Sequence, residues 1–168
     1  MKKLTVFTVV LIAMVTFFAW AWAKKDAVPE FQLAVLGDNA ELIRASNHKK
    51  LTLDTDGKYI MGYLDVFKLE DSVVRVSGWA ADKENRIPAQ RVLLFVGERL
   101  VRQIKPTVDR PDVALAKGES YLRSGWEADL PKDLFGKDKG RLRVIALTKA
   151  DRARELQGAS DPFLKTEK

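Results

Sequence analysis

The pattern of apolar residues changes at about residue 60. From there, short runs rich in valine, tyrosine, tryptophan and phenylalanine are separated by glycine, proline, aspartate and asparagine. Apolar runs broken by turn-forming residues are typical of β-strands. The pattern predicts six strands, at residues 60–69, 73–80, 91–96, 100–104, 121–130 and 141–148. A shorter strand is predicted at residues 31–36, which the turn sequence Gly37-Asp38-Asn39 follows.

Two of these strands indicate how the sheets are layered. In the last one, Leu142, Val144 and Ala146 alternate with other residues, as in a strand with one buried face. Residues 92–96 are apolar on both faces, as in a central strand. The sequence therefore predicts an all-β, two-layer sandwich of the immunoglobulin-like type at residues 60–148, and the lack of cysteine rules out only the disulfide-bearing version.

The regions on either side of this domain are more polar. Residues 24–59 read as a tether and an N-terminal extension, in which Asp38 and Glu41 resemble a capping box and predict a short helix at residues 40–48. Whether this extension completes the sandwich is left open. Residues 149–168 are predicted to be a polar tail, with one or two helical turns at residues 150–157.

An uncharged run at residues 4–23 follows Lys2 and Lys3, and it is long enough to cross a bilayer as a helix. Two interpretations stay open. The sequence Ala21-Trp22-Ala23 is typical of a signal-peptide cleavage site after Ala23, whereas tryptophans followed by Lys24 and Lys25 suit the far interface of a retained anchor. Residues 1–23 are thus a signal peptide or a membrane anchor, and the aromatic residues favour the anchor.

Both interpretations predict export into a bacterial cell envelope. The body would face the periplasm or the exterior from an inner-membrane anchor, or it would be a periplasmic protein if the chain is cleaved. Without residues 1–23 the chain keeps 27 basic and 23 acidic side chains, a formal balance of +4. This mild excess, in an exported domain, argues against a nucleic-acid partner and suits weak attraction to anionic lipid or polysaccharide.

No combination of residues predicts catalysis, a metal site or a cofactor. The chain has no cysteine, and His48 is its only histidine, beside lysines in a polar stretch. The turn at residues 54–57 matches part of a calcium loop, but Thr52 and Tyr63 stand where that loop needs acids, so a nonstandard calcium site is the minor alternative to a simple turn. Glu127 and Asp129 alternate with apolar residues, as on a solvated strand face.

Trp79 is the residue that most suggests a ligand patch. If the even-numbered residues before it face the core, Arg75 and Trp79 share the outer face, and with Tyr63 they would form a patch able to stack a sugar ring. A bulge at Gly78 would instead turn Trp79 into the core, and the adjacent glycine favours that arrangement. Trp126 is predicted to be a core residue.

Four short motifs carry a family resemblance: Gly62-Tyr63-Leu64-Asp65, Gly78-Trp79-Ala80-Ala81-Asp82, Arg110-Pro111-Asp112-Val113 and Gly125-Trp126. In this combination, residues 60–148 resemble the immunoglobulin-like accessory module found in bacterial glycosyltransferases and other surface-polysaccharide proteins. The resemblance implies a noncatalytic module. Pro111 has a fixed φ and favours an extended Arg110, so Arg110 and Asp112 are predicted to brace the long connection between strands through a charge-assisted hydrogen bond, rather than to contact an anion or a sugar.

Three functional hypotheses follow, in order. The first is a noncatalytic, exported or membrane-anchored domain that binds a protein of the cell envelope through a sheet edge or a loop face. The second is a glycan-binding accessory module with its site at Trp79, Arg75 and Tyr63. The third is an envelope hydrolase, for which the sequence provides carboxylates but no indication of their separation.

Overall fold

The computed structural model of the chain describes residues 30–36, 39–136 and 141–159. The predicted signal peptide or anchor at residues 1–23 and most of the predicted tether lie outside these residues. Within the described part, no helix is long and apolar enough to cross a membrane. The described residues from Phe31 onward belong to one compact unit.

The strands predicted from apolar runs after residue 60 are confirmed, with shifts of a few residues at their ends. The largest difference is in the fifth predicted strand, whose first four residues, 121–124, lie in the end of a 3-10 helix and a turn instead. With the N-terminal strands numbered β1 to β3, these strands are β4 (Ile60–Leu69), β5 (Val73–Asp82), β7 (Arg91–Val96), β8 (Arg99–Ile104), β9 (Gly125–Pro131) and β10 (Leu142–Leu147).

The helix predicted at residues 40–48 is wrong. The N-terminal extension forms a three-stranded meander, β1 (Phe31–Leu36), β2 (Asn39–Arg44) and β3 (Lys49–Leu53). Leu42 pairs with Leu33 on one side and with Leu51 on the other, so the three leucines form one buried row across the meander. This long-range burial overrides the local capping signal.

The C-terminal prediction also fails, because residues 152–155 form a strand instead of a helical turn. Strand β11 (Arg152–Glu155) pairs antiparallel with β10 and parallel with β3, and Ala153 is fully buried between its polar neighbours. Two further elements were not predicted: the two-residue strand β6 (Ile87–Pro88) and the helix α1 (Pro111–Lys117), which lies in the long connection between two predicted strands. Proline suits the first turn of a helix because its missing N–H has no partner there.

The strands form two sheets. The larger has the order β1-β2-β3-β11-β10-β7-β8, and the smaller has β5 between β4 and β9, with β6 paired to the end of β5. The meander and β11 thus belong to the same sheet as β7 and β10, so this sheet includes strands from outside the predicted domain limits of residues 60 and 148. Except for the β3–β11 pair, the ladders between these strands are antiparallel.

Strands β7 and β10 lie at the centre of the domain because both of their faces are buried. Val92 and Leu94 face the smaller sheet and pack in a cluster around Trp126. Leu93 and Phe95 face the other way, against Phe31 and other residues of the meander. The larger sheet therefore curls so that β1 to β3 cover its outer face. The prediction that residues 92–96 form a central strand is confirmed.

Candidate functional site

The outer face of the smaller sheet carries the predicted ligand patch. Along β5 the residues at even positions are buried, so the odd ones point outward. Tyr63 on β4 is the direct neighbour of Trp79, and about half of its surface is exposed. Arg75 lies on β5, four residues before Trp79, and it pairs with Lys68 of β4 and Asp129 of β9. The sheet thus brings Tyr63 and Trp79 together, with Arg75 further along the same face.

Arg75 is engaged in its own ion-pair network. Its Nε donates to Asp129 Oδ1 at 3.0 Å, and its Nη2 lies 3.5 Å from Glu70 Oε2. The pKa of the Arg75 guanidinium is raised, first by the hydrogen bond to Asp129. Since Nε and Nη2 already bond to carboxylates, Arg75 contributes a charge pair to this face rather than a group directed at Trp79.

Trp79 belongs to a small satellite cluster outside the main core. The bulge that was predicted at Gly78 lies instead in β4, between Leu64 and Val66, so β5 keeps its alternation and Trp79 faces outward. Its side chain packs against Val113 of α1 and Tyr121, and it stays partly exposed. The favoured prediction of Trp79 as a core residue is therefore wrong for the inter-sheet core, whereas Trp126 is buried there as predicted.

The bulge in β4 determines where Asp65 lies. Asp65 is the extra residue of the bulge, without a partner on β5, and its Oδ2 accepts a hydrogen bond of 2.6 Å from Arg110 Nη1. Arg110 also donates to both carboxylate oxygens of Asp112, from Nε at 2.8 Å and from Nη2 at 2.6 Å. One guanidinium therefore joins β4 to the first turn of α1 through two carboxylates.

The electrostatics of this trio follow from its contacts. The hydrogen bonds from Arg110 lower the pKa of Asp112 to about 2, against a smaller opposing effect of desolvation. The pKa of Arg110 is raised, first by its bond to Asp112 and then, against desolvation, by its bond to Asp65. At neutral pH the trio bears one positive and two negative charges, so it is a net acceptor of hydrogen bonds.

Two glycines allow the four motifs that begin at Gly62, Gly78, Arg110 and Gly125 to pack against one another. A Cβ on Gly78 would lie 2.8 Å from Cζ2 of Trp126 and would collide with the carbonyl oxygen of Tyr63. A Cβ on Gly125 would lie 2.9 Å from Cγ of Arg110. The side chains of Trp126 and Arg110 thus occupy the space that these glycines leave open, which ties each motif to the next.

Between the motifs lies a depression of about 380 Å³, here called the corner cleft. Tyr63 and Trp79 contribute aromatic surface, and the Arg110 trio and Lys117 contribute charge. Its remaining lining comes from small or aliphatic side chains of β4 and α1. The arrangement can hold an apolar or ring-shaped group against the aromatic residues while polar groups bond to the carboxylates.

The described residues offer no metal cage. They contain no group of three or more histidines and carboxylates that could hold a metal ion. Both oxygens of Asp54 accept backbone N–H groups, from Lys58, Tyr59 and Ile60, which leaves this carboxylate committed to its turn. Burial would raise the pKa of Asp54, but these hydrogen bonds and the charge of Arg154 lower it.

The other predicted candidates lie apart from the corner cleft. His48 is exposed at the end of the β2–β3 turn, with a positive φ of 52°. Glu127 and Asp129 are exposed and alternate with buried residues of β9, as predicted for a solvated face. The sequence did not reveal Asp65 as the second partner of Arg110, because a contact between residues 45 positions apart depends on the bulge in β4.

Comparison of the chain with family models, with curated proteins and with solved structures found no match. The resemblance to the accessory modules of surface-polysaccharide proteins therefore stays a prediction.

Proposed function

We propose that this chain is a noncatalytic, exported or membrane-anchored domain that binds a protein of the cell envelope through the corner cleft. The observation that carries the proposal is the presence of Tyr63, Trp79 and Arg110 around one cleft. Tyrosine, tryptophan and arginine are the residue types that most often dominate protein–protein binding energy. One wall of the cleft is the short helix α1, so a loop or a side chain of a partner can enter the cleft.

The fold class proposed with this function is the immunoglobulin-like sandwich. Its support is the strand order: β4-β5-β9 faces β8-β7-β10-β11, which corresponds to strands A-B-E against C′-C-F-G. An isolated parallel bridge between Leu64 and Gly158 links the first strand to the segment after the last one. In this interpretation, the meander β1 to β3 is an addition that extends the larger sheet beyond β11.

The chemistry of the cleft restricts the partner. Asp65 and Asp112 have lone pairs left after their bonds with Arg110, whereas most N–H groups of Arg110 are used. A complementary protein segment should therefore present donors, such as arginine, lysine or asparagine side chains. It should also place an aliphatic side chain between Tyr63 and Trp79, where contact with aromatic surface excludes water.

A glycan is the second candidate for this cleft. The specific observation in its favour is the half-exposed ring of Tyr63 beside two carboxylates. Sugar rings stack on aromatic faces while their hydroxyls donate to acidic side chains. This candidate keeps Tyr63 and Trp79 of the predicted patch and replaces Arg75 by Arg110.

The cellular setting is part of the same proposal. Residues 4–23 would hold the domain at the inner membrane with its body in the periplasm or outside, or they would be removed after Ala23. Either route brings the corner cleft to envelope proteins and glycans and keeps it away from nucleic acid.

The proposal is tested by photocrosslinking in native membranes. Tyr63 is replaced by benzoylphenylalanine in the full-length chain, and Lys68, an exposed residue further along β4, receives the same group as a control. We expect crosslinks to a small set of envelope proteins from position 63, identified by mass spectrometry, and few from position 68. Equal products from both positions would contradict the proposal.

The same samples distinguish the glycan candidate. Glycan attached to the chain at position 63, without protein, would replace the protein partner by a polysaccharide. If position 63 forms a crosslink to neither a protein nor a glycan, the result would count against the cleft as a binding site.

A further inference from the structure

A second concave surface lies beside the start of β7, and no sequence motif marks it. Its two walls are residues 87–91, which lead into β7, and residues 103–107, which follow β8. With Arg123 and Lys149 at its sides, it encloses about 730 Å³ and is here called the basic groove. Pro88 and Pro106 stiffen the two walls, and the side chain of Arg91 bonds across to Gln103 Oε1 at 3.0 Å.

Four separate segments each contribute one cation to the basic groove. Arg91 begins β7, Lys105 follows β8, Arg123 precedes β9 and Lys149 follows β10. Among the described residues that line the groove there is no aspartate or glutamate. A concave surface with charge of one sign concentrates ligands of the opposite sign.

The two lysines have no partner within the described part of the chain. Neither Lys105 nor Lys149 has an acidic group within ion-pair distance there, unlike Lys49 and Lys50 of the meander, which pair with Asp151 and Glu41. Arg123 is held only loosely, with Nε 3.9 Å from Asp109 Oδ1, and both side chains are mostly exposed. Arg123 Nη2 also donates to the backbone oxygen of Thr107 at 3.5 Å. Lys105 and Lys149 are therefore the cations available to a ligand without breaking a bond to a described residue.

The remaining lining narrows the class of ligand. The apolar side chains of Ile87, Ile104 and the two prolines lie beside the amides of Gln90 and Gln103. Apolar surface next to amide groups suits the faces and hydroxyls of sugar rings. None of the described residues that line the groove is aromatic, so they provide no stacking platform of the kind on which single-stranded nucleic acid depends.

We infer that the basic groove binds an acidic polysaccharide, a sugar chain that carries carboxylate groups. The volume exceeds what a single small anion would fill and lies within the usual range of small-molecule and cofactor sites, so the groove has room for at least one sugar unit. The inference does not depend on the corner cleft, because the two surfaces share no lining residue. If both hold, the domain connects an acidic glycan to an envelope protein.

The test measures binding of oligogalacturonate to the full-length chain by calorimetry, in a nonionic polyoxyethylene detergent. A neutral galactan oligosaccharide of the same length is the comparison ligand. We expect oligogalacturonate to bind more tightly, with an affinity that falls as salt is raised from about 50 to about 500 mM. The variant Lys105→Gln/Lys149→Gln should weaken this binding about tenfold.

The matched control is Lys68→Gln/Lys132→Gln, which removes the same charge from exposed lysines outside the groove. It should change the affinity less than about twofold, because long-range attraction is screened. Equal weakening by the two variants, equal binding of the neutral sugar or no binding of oligogalacturonate would overturn the inference. Dihexanoyl phosphatidylglycerol that binds while oligogalacturonate does not would also overturn it and would identify a lipid headgroup as the occupant.

Discussion

The corner cleft and the basic groove use their cations in opposite ways. In the cleft, Arg110 donates to two carboxylates at 2.6–2.8 Å, so its charge is neutralised by residues of the same domain. In the groove, Lys105 and Lys149 lack an acidic partner among the described residues. Both surfaces are near the start of β9, since Gly125 bonds to Val108, two residues before Arg110 of the cleft, and to Thr107 of the groove wall.

The difference separates residues that build the fold from residues that are free to bind. The motifs around the corner cleft interlock with the inter-sheet core through Gly78 and Trp126, so their presence in the sequence is explained by packing even without a ligand. The lysines of the basic groove have no such structural role. A motif in a sequence is therefore weak support for a binding site until the structural demand on each residue has been considered.

The largest effect is expected where the cleft meets the core. The variant Gly78→Val should lower the free energy of unfolding by at least about 3 kcal/mol, because its side chain would collide with Trp126 and with the backbone at Tyr63. Urea denaturation followed by tryptophan fluorescence measures this loss.

Gly136→Ala is the matched control, since a Cβ at Gly136 meets open space. It should leave the urea midpoint nearly unchanged. A Gly78→Val protein as stable as the control would show that the motifs do not depend on this packing.

The parts of the fold that were predictable are those with a strong local pattern of apolar residues. Strand β7 is apolar on both faces and β9 alternates, and each appears in the sequence without reference to the rest of the chain. Strand β11 was missed because Arg152–Glu155 buries only Ala153, so its pairing with β3, about a hundred residues earlier, determines its conformation. Helix α1 has seven residues, and Leu115 on it is 91% exposed, so no amphipathic period could mark it.

The candidate sites also differ in how far their predictability depends on contacts between distant segments. Arg110 and Asp112 are two positions apart, so their contact could be predicted from local geometry. The contact between Asp65 and Arg110 depends on a bulge in β4 that the residue pattern did not predict. The basic groove was invisible because its cations come from four segments, and ordinary surface lysines look the same in a sequence.

A smaller effect is expected from the charge pairing in the cleft, and it should depend on pH. The pKa of Asp112 is lowered to about 2 in the folded chain, against about 3.9 for an unperturbed aspartate. The stabilisation from this carboxylate is therefore complete above about pH 4 and is lost as the pH falls through about 2. Asp112→Asn should be less stable than the wild type at pH 7, and the difference should disappear near pH 2.

Urea midpoints measured between pH 2 and pH 7 test this dependence. Glu119→Gln is the control, because Glu119 is exposed and forms no ion pair with a described residue. A difference between Asp112→Asn and the wild type that persists unchanged at pH 2 would mean that the Asp112 carboxylate does not stabilise the fold through its charge.

The smallest effect on stability is expected in the basic groove. Lys105→Gln/Lys149→Gln should change the melting temperature by no more than about 2 °C, because exposed, unpaired charges contribute little to folding. Arg110→Gln, which removes only one cation, should lower it by several degrees, since it leaves the carboxylates of Asp65 and Asp112 without their shared partner. Thermal denaturation of the three proteins under one buffer measures the contrast. If the double lysine variant loses as much as Arg110→Gln, the lysines serve the fold, and the distinction between the two surfaces fails.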